Sequence, residues 1–340
     1  MKTIVALMIW GVALAGRAEQ SEYGQLNSKA VTLYSEHKIN EAIAAGEQAL
    51  AIAEKTLSPD DKDLVTILEN LASIYDGAKL PDKSQVTYER ILAMKEKDAT
   101  TEPASKARTL FSLGELQMDR KNWEAAQGFY RRSLDIREKT LAPDSGELIT
   151  TQNRLAWVLQ NQEKYAEAVP LLRQVIAGWE KAKGPDAAEL GVPYYNLAFI
   201  SEKLNRKADV EPNLKRSLEI RRNHPGEKDA DLILTLQALA SYYLNLEKLK
   251  SAEPLYKELL ALQEKNLGKE NPALLPTLRG YLAVVNDEVD VHGGPKGLNK
   301  KNVAVALRKR IARLEPLEEQ ADEAAKKPTN ESAKGKKSSY

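Results

Sequence analysis

The chain repeats itself at an interval of 42 residues. Five leucines define the repeat, because each lies 42 positions after the one before it: Leu71, Leu113, Leu155, Leu197 and Leu239. A fixed interval of this length is typical of arrays in which one supersecondary unit is stacked on copies of itself. Such an array grows without a second core, so the 340 residues predict one continuous solenoid rather than two globular domains.

Further columns in the same register indicate what the repeated unit is. A small residue follows the leucine column, at Ala30, Ala72, Gly114, Ala156, Ala198 and Ala240. Twelve positions later a second, mostly small column contains Ala42, Ser84, Ala126, Ala168, Val210 and Ala252. Larger apolar residues follow at steps of four, which places each set on one stripe of a helix, and strand-like alternation is missing. We therefore expect an all-α fold in which each unit is a hairpin of two antiparallel helices.

Polar and helix-breaking residues mark the turns of these hairpins. Gln162-Glu163-Lys164 and Asn205-Arg206-Lys207 are predicted to connect the two helices of their units. Prolines recur at the same 42-residue interval, at Pro170, Pro212 and Pro254. We place them just inside the second helix, where the missing N–H of a proline would have been unpaired anyway.

Several motifs resemble the tetratricopeptide repeat family in its longer, kinesin-light-chain-like form. They are Asn196-Leu197-Ala198, Tyr165-Ala166-Glu167-Ala168, Ala252-Glu253-Pro254-Leu255-Tyr256-Lys257 and Leu267-Gly268. The resemblance covers residues 23–317 and departs from the family pattern at Gly46, Gln117 and Ser201. It implies a right-handed helical-hairpin solenoid of six repeats plus a modified seventh at the C-terminal end.

The N-terminal residues are expected to lie outside the solenoid. Lys2 precedes an apolar run over residues 4–15, and small residues stand before Glu19, which is typical of a secretory signal peptide spanning 1–18. Two alternatives remain open: the signal peptide is cleaved after Ala15 instead, or the segment is not cleaved and serves as a membrane anchor. Twelve apolar residues fall short of the roughly 20 that a membrane span needs. We therefore expect a periplasmic or secreted protein without an integral span, and the absence of cysteine excludes disulfides and a lipidated cysteine.

The register slips by ten residues near the C-terminal end. We expect the insertion to form a loop at about 286–297 within the seventh unit. The second helix of that unit carries an apolar stripe at Val303, Leu307, Ile311 and Leu314, after which Pro316 is expected to kink or restart the chain. The solenoid is thus predicted to span 19–317, followed by a charged, largely disordered tail at 318–340.

The composition and the scarcity of reactive residues exclude most enzyme classes. The chain has no cysteine, and its three histidines, His37, His224 and His292, lie far apart in the repeat register. We predict no catalytic residue, no cofactor and no metal site. Asp287, Glu288, Asp290 and His292 could hold a divalent cation, but they lack the residue order of a calcium loop, so a solvated acidic loop is favoured.

Charge provides no general attraction for polyanions. The formal net charge is +1, so no overall field draws in nucleic acid or an anionic membrane. Basic residues cluster locally at Lys300, Lys301, Arg308, Lys309, Arg310 and Arg313. Acidic residues interrupt this cluster before the basic tail, so a solvated terminal helix is favoured over weak contact with an anionic surface, and no nucleic-acid partner is expected.

The family resemblance also indicates where a partner would bind. In the family, first-helix residues line the inner wall of the superhelix, and the positions three before and one after the small residue face a bound peptide. In the central units these positions are Phe111 and Glu115, Asn153 and Trp157, and Tyr195 and Phe199. Aromatic anchors with polar neighbours are typical of binding hot spots. The alternative is that these aromatic residues are buried against the neighbouring unit and serve packing.

The sequence therefore predicts an exported scaffold that binds a peptide or protein segment in a concave groove. The principal alternative is a structural subunit of an envelope complex, which would use the array ends or the convex face. An enzyme is not expected.

Overall fold

The computed structural model describes residues 21–226, 229–291 and 295–326. Within these ranges the side chains of 287–291, 295–299 and 320–326 are not described. The predicted signal peptide at 1–18 and the end of the predicted tail, residues 327–340, lie outside the described residues.

The described part of the chain is built from α-helices, with two single turns of 3₁₀ helix and no strand. The helices are α1 (Glu22–Ser35), α2 (Ile39–Thr56), α3 (Lys62–Gly77), α4 (Pro81–Lys97), α5 (Pro103–Asp119), α6 (Trp123–Thr140), α7 (Gly146–Asn161), α8 (Tyr165–Lys183), α9 (Gly191–Lys203), α10 (Lys207–Asn223), α11 (Ala230–Asn245), α12 (Leu249–Leu267), α13 (Leu275–Val291) and α14 (Pro295–Lys326). The 3₁₀ turns, Ala188–Leu190 and Pro272–Leu274, precede α9 and α13. The predicted all-α hairpin array is confirmed.

The chain divides into two compact units, residues 1–178 and 179–340. Each unit alternates first helices with second helices, where a first helix opens a hairpin and a second helix closes it. In unit 1 the first helices are α1, α3, α5 and α7, and in unit 2 they are α9, α11 and α13. Helices that are consecutive in sequence pack against each other from α1 to α7 in unit 1 and from α9 to α14 in unit 2. In addition, α1 contacts α3, and α11 contacts α13.

The repeated columns form the core of both units. All five leucines of the 42-residue column are buried, with at most 8% of the side chain exposed. The alanines of the first small column are at most 1% exposed, and all members of the second small column are at most 2% exposed. Small residues at these positions let paired helices approach closely, so the two columns predicted from the sequence are confirmed as the hairpin contact.

Ion pairs between neighbouring second helices join one hairpin to the next. Glu54 lies 2.5 Å from Arg90 between α2 and α4, and Glu167 lies 2.5 Å from Arg131 between α6 and α8. Arg222 and Glu258 form the corresponding pair between α10 and α12 at 2.5 Å. These pairs are roughly half exposed, so each contributes at most about 1 kcal/mol, and the apolar core is the larger source of stability.

The hairpin turns share one backbone conformation that repeats with the sequence. A residue with a left-handed φ of 55–62° closes the first helix of each of six hairpins, at His37, Lys79, Lys121, Glu163, Asn205 and Glu247. In each turn the next N–H donates to the carbonyl five residues earlier, for example from Leu80 to Tyr75, and the left-handed residue itself donates to the carbonyl three residues earlier. This is the hydrogen-bond pattern of a Schellman C-cap, in which glycine is the favoured residue.

None of these six turns uses glycine, so each carries some conformational strain. We expect Lys79→Gly and Lys121→Gly each to raise the free energy of unfolding by about 1 kcal/mol, because glycine adopts a positive φ without steric cost. Both lysines are exposed. The measurement is urea unfolding followed by circular dichroism. The control, Ala44→Gly at an exposed position inside α2, should lower stability by about as much. Destabilisation by both lysine substitutions would contradict this interpretation of the turns.

The structure corrects the predicted position of the repeated prolines. Pro170, Pro212 and Pro254 are each the sixth residue of a second helix, in α8, α10 and α12. Each therefore stands in the second turn and removes one intrahelical hydrogen bond, rather than replacing an N–H that would have been unpaired. All three lie on the exposed side of their helices, where water can reach the carbonyl that loses its partner.

The structure also differs from the sequence prediction at the C-terminal end. The loop predicted at 286–297 is helical up to Val291 and again from Pro295, so the inserted residues lengthen the two helices of the last hairpin. Pro316 lies within α14, which continues to Lys326 through the first part of the predicted tail. The apolar stripe of this helix behaves as predicted, because Leu307, Ile311 and Leu314 are buried. Alanine and glutamate, both strong helix formers, favour the extension beyond residue 317.

Candidate protein-interaction surface

The six residues predicted to face a partner lie on first helices. Phe111 and Glu115 belong to α5, Asn153 and Trp157 to α7, and both helices belong to unit 1. Tyr195 and Phe199 belong to α9 of unit 2. Trp157 is 38% exposed, and the other five residues are partly buried.

Trp157 is the most exposed of the six predicted residues, and it packs against a second tryptophan. Its ring packs edge-on against Trp123, with ring centroids 5.2 Å apart and planes inclined by 75°. Trp123 opens α6, and it is partly buried. The two indoles form an aromatic pair on unit 1. Sequence reasoning missed Trp123 because it stands at a hairpin turn, outside the first-helix columns.

Phe111 is held from two sides. Its ring meets Tyr130 of α6 edge-on, with centroids 5.4 Å apart. The guanidinium carbon of Arg137 lies 5.1 Å from the centroid of the Phe111 ring. Phe111 therefore serves packing with part of its surface, and it remains only partly buried. These contacts lie within its own hairpin, whereas the alternative interpretation of the sequence expected burial against the neighbouring unit.

Arg137 is a buried cation that joins α6 to α7. Its Nη1 donates to the carbonyl oxygen of Glu147 at 2.8 Å and to Thr151 Oγ1 at 2.5 Å. Only 5% of the residue is exposed, and burial lowers the pKa of the Arg137 guanidinium. The Nε of Arg137 is buried without a hydrogen-bond partner among the described residues.

Unit 2 repeats this arrangement around Tyr195. The guanidinium carbon of Arg221 lies 5.2 Å from the centroid of the Tyr195 ring, and Arg221 donates to the carbonyl oxygen of Asp231 at 2.5 Å and to Thr235 Oγ1. Arg221 is 8% exposed. Burial is the main cause that lowers its pKa. Each aromatic residue at this register therefore rests on a buried arginine from the second helix of its own hairpin.

In α4 the position that corresponds to Arg137 is occupied by Lys95, which pairs with an acidic residue. Lys95 Nζ lies 2.5 Å from Glu69 and 2.8 Å from Thr109 Oγ1, and burial lowers the pKa of Lys95. The buried cations form one column of the repeat, at Lys95, Arg137 and Arg221. Their threonine partners form a second column, at Thr109, Thr151 and Thr235. Within each column the residues lie one or two repeats apart. Sequence reasoning did not use this pair of columns, although the 42-residue interval contained it.

Of the two polar residues in the predicted pairs, Glu115 has partners within unit 1. Glu115 accepts a hydrogen bond from Tyr130 Oη and lies 2.9 Å from Arg154 Nε. Burial, and then the charge of Glu115, raise the pKa of Tyr130. Asn153 is partly buried, and its Oδ1 has no hydrogen-bond partner among the described residues.

In unit 2 the ring of Phe199 lies close to a cation. Lys203 Nζ is 5.4 Å from the centroid of the Phe199 ring, one helical turn further along α9. Tyr195 and Phe199 are four residues apart and share a face of this helix. Both remain partly exposed, and Tyr195 also packs against the hydrophobic core of unit 2.

The described residues contain no group of three or more histidine, cysteine, aspartate or glutamate side chains that could hold a metal ion. The predicted acidic cluster at 287–292 lies outside the described side chains. His37 occupies a left-handed turn, and His224 Nε2 lies 2.8 Å from the carbonyl oxygen of Asp186.

Most described basic residues of α14 bind partners within unit 2. Lys300 lies 2.9 Å from Glu253, and Arg313 lies 2.6 Å from Glu270. Arg310 pairs with Glu264 and donates to the carbonyl oxygen of Lys269 at 2.7 Å. The alternative that these residues make a weak contact with an anionic surface therefore gains no support. Across the part of the chain that the structure describes, no helix combines the length and apolarity that a membrane crossing requires.

These features define a helical-hairpin repeat scaffold with aromatic residues on its first helices. Two models described as tetratricopeptide repeat match the chain, one at residues 24–97, 105–181 and 147–223 and the other at 232–273. The matches cover more than half of the sequence, so the chain belongs to the tetratricopeptide repeat family. Members of this family are in general non-enzymatic scaffolds for protein–protein interaction.

Solved structures support the same fold. BtubC (BKLC) from P. vanneervenii aligns with a TM-score of 0.55 and 18% identity, covering 72% of this chain and 92% of that protein. A putative kinesin light chain from Podosopora anserina, with nearly identical TPR-like repeats, aligns with a TM-score of 0.50 and 20% identity over 59% of this chain and 96% of that one. The apo form of RapI has a TM-score of 0.55 and 13% identity, with coverages of 79% and 75%. Curated protein sequences give no significant match.

Proposed function

We propose that this protein is an exported scaffold that binds a peptide or a protein segment on the exposed faces of its first helices. The observation that carries the proposal is the Trp157 and Trp123 pair, in which a first helix presents a tryptophan that is 38% exposed. Tryptophan is the residue most enriched at binding hot spots. An indole is also one of the larger apolar groups that a partner can cover.

The mechanism we propose is rigid presentation. Phe111 and Tyr195 each rest on a buried arginine that is hydrogen-bonded to the next first helix. Aromatic rings fixed in this way lose little side-chain freedom when a partner binds, so most of the ordering cost falls on the partner.

Partner capture by the mature chain tests this proposal. We expect Trp157→Ala combined with Phe199→Ala to reduce capture of partner proteins from an envelope extract by about thirtyfold or more, because hot-spot truncations cost about 2 kcal/mol or more. Helix content and monomer mass should not change. The control combines Val86→Ala and Val305→Ala, which truncate exposed aliphatic residues on second helices, and should capture as well as the unaltered protein.

Equal capture by both double variants would contradict the proposal. Recovery of only further copies of the chain would favour the alternative function, a structural subunit that joins copies or envelope components.

Export is a separate part of the proposal and rests on residues 1–18 alone. We expect mass spectrometry of the protein recovered from its own cells to give a mature chain that begins at Glu19, or at Gly16 if the alternative site is used. A chain that retains Lys2 and the apolar run would contradict cleavage and would favour the uncleaved anchor.

A further inference from the structure

The first hairpin has an outer side that no other described helix covers. In unit 1, α3, α5 and α7 each pack against the second helix that precedes them, whereas α1 has no preceding helix among the described residues. On this side α1 and α2 form a shallow cavity of about 470 Å³. We call the residues that line it the N-terminal end face, which includes Glu22, Gln25, Leu26, Lys29, Ala51 and Ile52.

The N-terminal end face combines apolar residues with exposed charges. Leu26 and Ile52 are partly buried, while Glu22 and Lys29 are exposed. The position of Lys29 is the one at which later repeats have the buried leucine column. With the exception of Lys106, later repeats also bury leucine at the position of Glu22, namely at Leu64, Leu148, Leu190, Leu232 and Leu274. Charges therefore replace leucine where α1 would meet another hairpin.

The two charges of α1 are placed so that they complement a second copy of this helix. Glu22 and Lys29 are seven residues apart, about 10 Å along the helix axis, and Leu26 lies between them on the same stripe. Neither charged side chain has a hydrogen-bond or ion-pair partner among the described residues. A two-fold axis that crosses α1 midway between them sets two α1 helices antiparallel. Glu22 of each copy then lies opposite Lys29 of the other, and the two Leu26 side chains meet between these pairs.

Charge opposes head-to-tail stacking, in which the last hairpin of one copy would precede the first hairpin of the next. Inside unit 1, Gly46 of α2 faces Leu71 of α3, because a Cβ atom on Gly46 would lie 2.8 Å from Leu71 Cδ1. Counted through the ten-residue slip in register, Arg308 has the position of Gly46, and Lys29 has that of Leu71. Head-to-tail stacking would therefore bring two cations together, which disfavours it.

The charged residues at the C-terminal end of the array already have partners. Arg308 donates to Asn286 Oδ1 at 2.9 Å, and Glu315 lies 3.0 Å from Arg279. Pairing two α14 helices would compete with these contacts, whereas the charges of the N-terminal end face have no partner to lose among the described residues. The N-terminal end face is therefore the end that suits a second copy.

We propose that two copies of this protein dimerise through their N-terminal end faces, with the two α1 helices antiparallel. The helices α1 and α2 have 14 and 18 residues, which makes them about 21 and 27 Å long. Side by side they are about 20 Å wide, so the dimer buries about 500 Å² on each copy, close to the lower limit for a specific interface. We therefore expect a weak dimer that dissociates on dilution. Trp157 lies on α7, outside this face.

Sedimentation equilibrium of the mature chain tests the inference. We expect the apparent mass to rise from one copy toward two as the concentration increases through the micromolar range, without larger species. Lys29→Glu places like charges opposite each other and should raise the dissociation constant at least about tenfold. The double variant Glu22→Lys with Lys29→Glu restores opposite charges across the two-fold axis and should dimerise within about threefold of the unaltered chain.

A matched control and a mixing experiment accompany these variants. Lys309→Glu makes the same change of charge at an exposed residue of α14, and it should alter the dissociation constant less than about twofold. An equimolar mixture of the Lys29→Glu and Glu22→Lys single variants brings the same opposite charges together and should form a mixed dimer. Unchanged helix content by circular dichroism confirms that each variant folds.

The inference goes beyond the proposed function and is decided independently of it. A mass of one copy at every concentration would overturn it, as would a dimer that Lys29→Glu leaves intact. A folded double variant that stays monomeric would also overturn it. A series of masses above two copies would indicate head-to-tail stacking instead. Partner capture that depends on Trp157 is a separate measurement, so the proposed function stands or fails without reference to these outcomes.

Discussion

Arg137→Ala is expected to lower the free energy of unfolding by about 3 kcal/mol. Arg137 is 5% exposed, and its side chain fills the space beneath Phe111 while it joins α6 to Glu147 and Thr151 of α7. Alanine leaves a cavity there, because the surrounding helices collapse only in part. Urea unfolding of the full chain, followed by circular dichroism, gives the size of the loss.

Two further substitutions distinguish the contribution of the Arg137 side-chain volume to stability from the contribution of its charge. Arg137→Met fills most of the space without a buried charge, and Thr151 Oγ1 keeps its own hydrogen bond to the carbonyl oxygen of Glu147 at 2.7 Å. We expect a loss of at most about 1 kcal/mol for Arg137→Met, because the cost of desolvating the guanidinium is removed as well. Arg132→Ala removes an arginine that is 50% exposed and should cost less than about 1 kcal/mol. Equal losses for alanine and methionine at position 137 would contradict the packing role.

Gly114→Val is expected to destabilise the chain by about 3 kcal/mol through overpacking. A Cβ atom at position 114 would lie 2.7 Å from Cε1 and 2.9 Å from Cδ1 of Tyr130. Tyr130 is fully buried and its hydroxyl donates to Glu115, so the ring cannot move aside without breaking that hydrogen bond. A shift of the urea midpoint to lower concentration measures the effect.

Gly128 provides the matched control in the same hairpin. It lies in α6 and is exposed, and apart from its chain neighbours and the nearby backbone of α6 no atom lies within 4 Å of the place where its Cβ would stand. We expect Gly128→Ala to raise the free energy of unfolding by about 1 kcal/mol, because alanine is the better helix former. Tolerance of valine at position 114 would show that α5 and α6 are less closely packed than the structure indicates.

The sequence was sufficient to predict the hairpins, because burial repeats with the chain. Positions such as Leu113, Ala156 and Ala168 meet the same neighbours in every unit, so the same residue types recur at 42-residue intervals. Small residues at helix contacts and large residues beside them follow from packing alone. The periodicity of the sequence is therefore enough to predict the buried columns and the positions of the hairpin turns.

Features that depend on backbone detail were predicted less well. The left-handed turns at Lys79 and Lys121 lack glycine, the residue by which such a turn is usually recognised in a sequence. Pro170 lies one turn further into its helix than expected. The predicted loop at 286–297 failed for another reason. A break in register shows that residues were added, but it does not distinguish a loop from two longer helices.

The sequence predicted which helices carry the candidate residues, but it did not predict the side chains that surround them. The resemblance placed Phe111, Trp157 and Tyr195 on first helices, where the structure has them. It did not reveal that Arg137 and Arg221 support two of the rings, since a buried cation is recognisable only when its hydrogen-bond partners are known.

Photo-crosslinking in the cells that make the protein tests the central claim most directly. A photoreactive phenylalanine analogue is placed at Trp157 or Phe199 on first helices, and at Val86 or Val305 on second helices. We expect crosslinks to a partner protein from Trp157 and Phe199 and none from Val86 and Val305. Crosslinks that arise only from the second-helix positions, or that join only copies of this chain, would contradict binding on the first-helix faces.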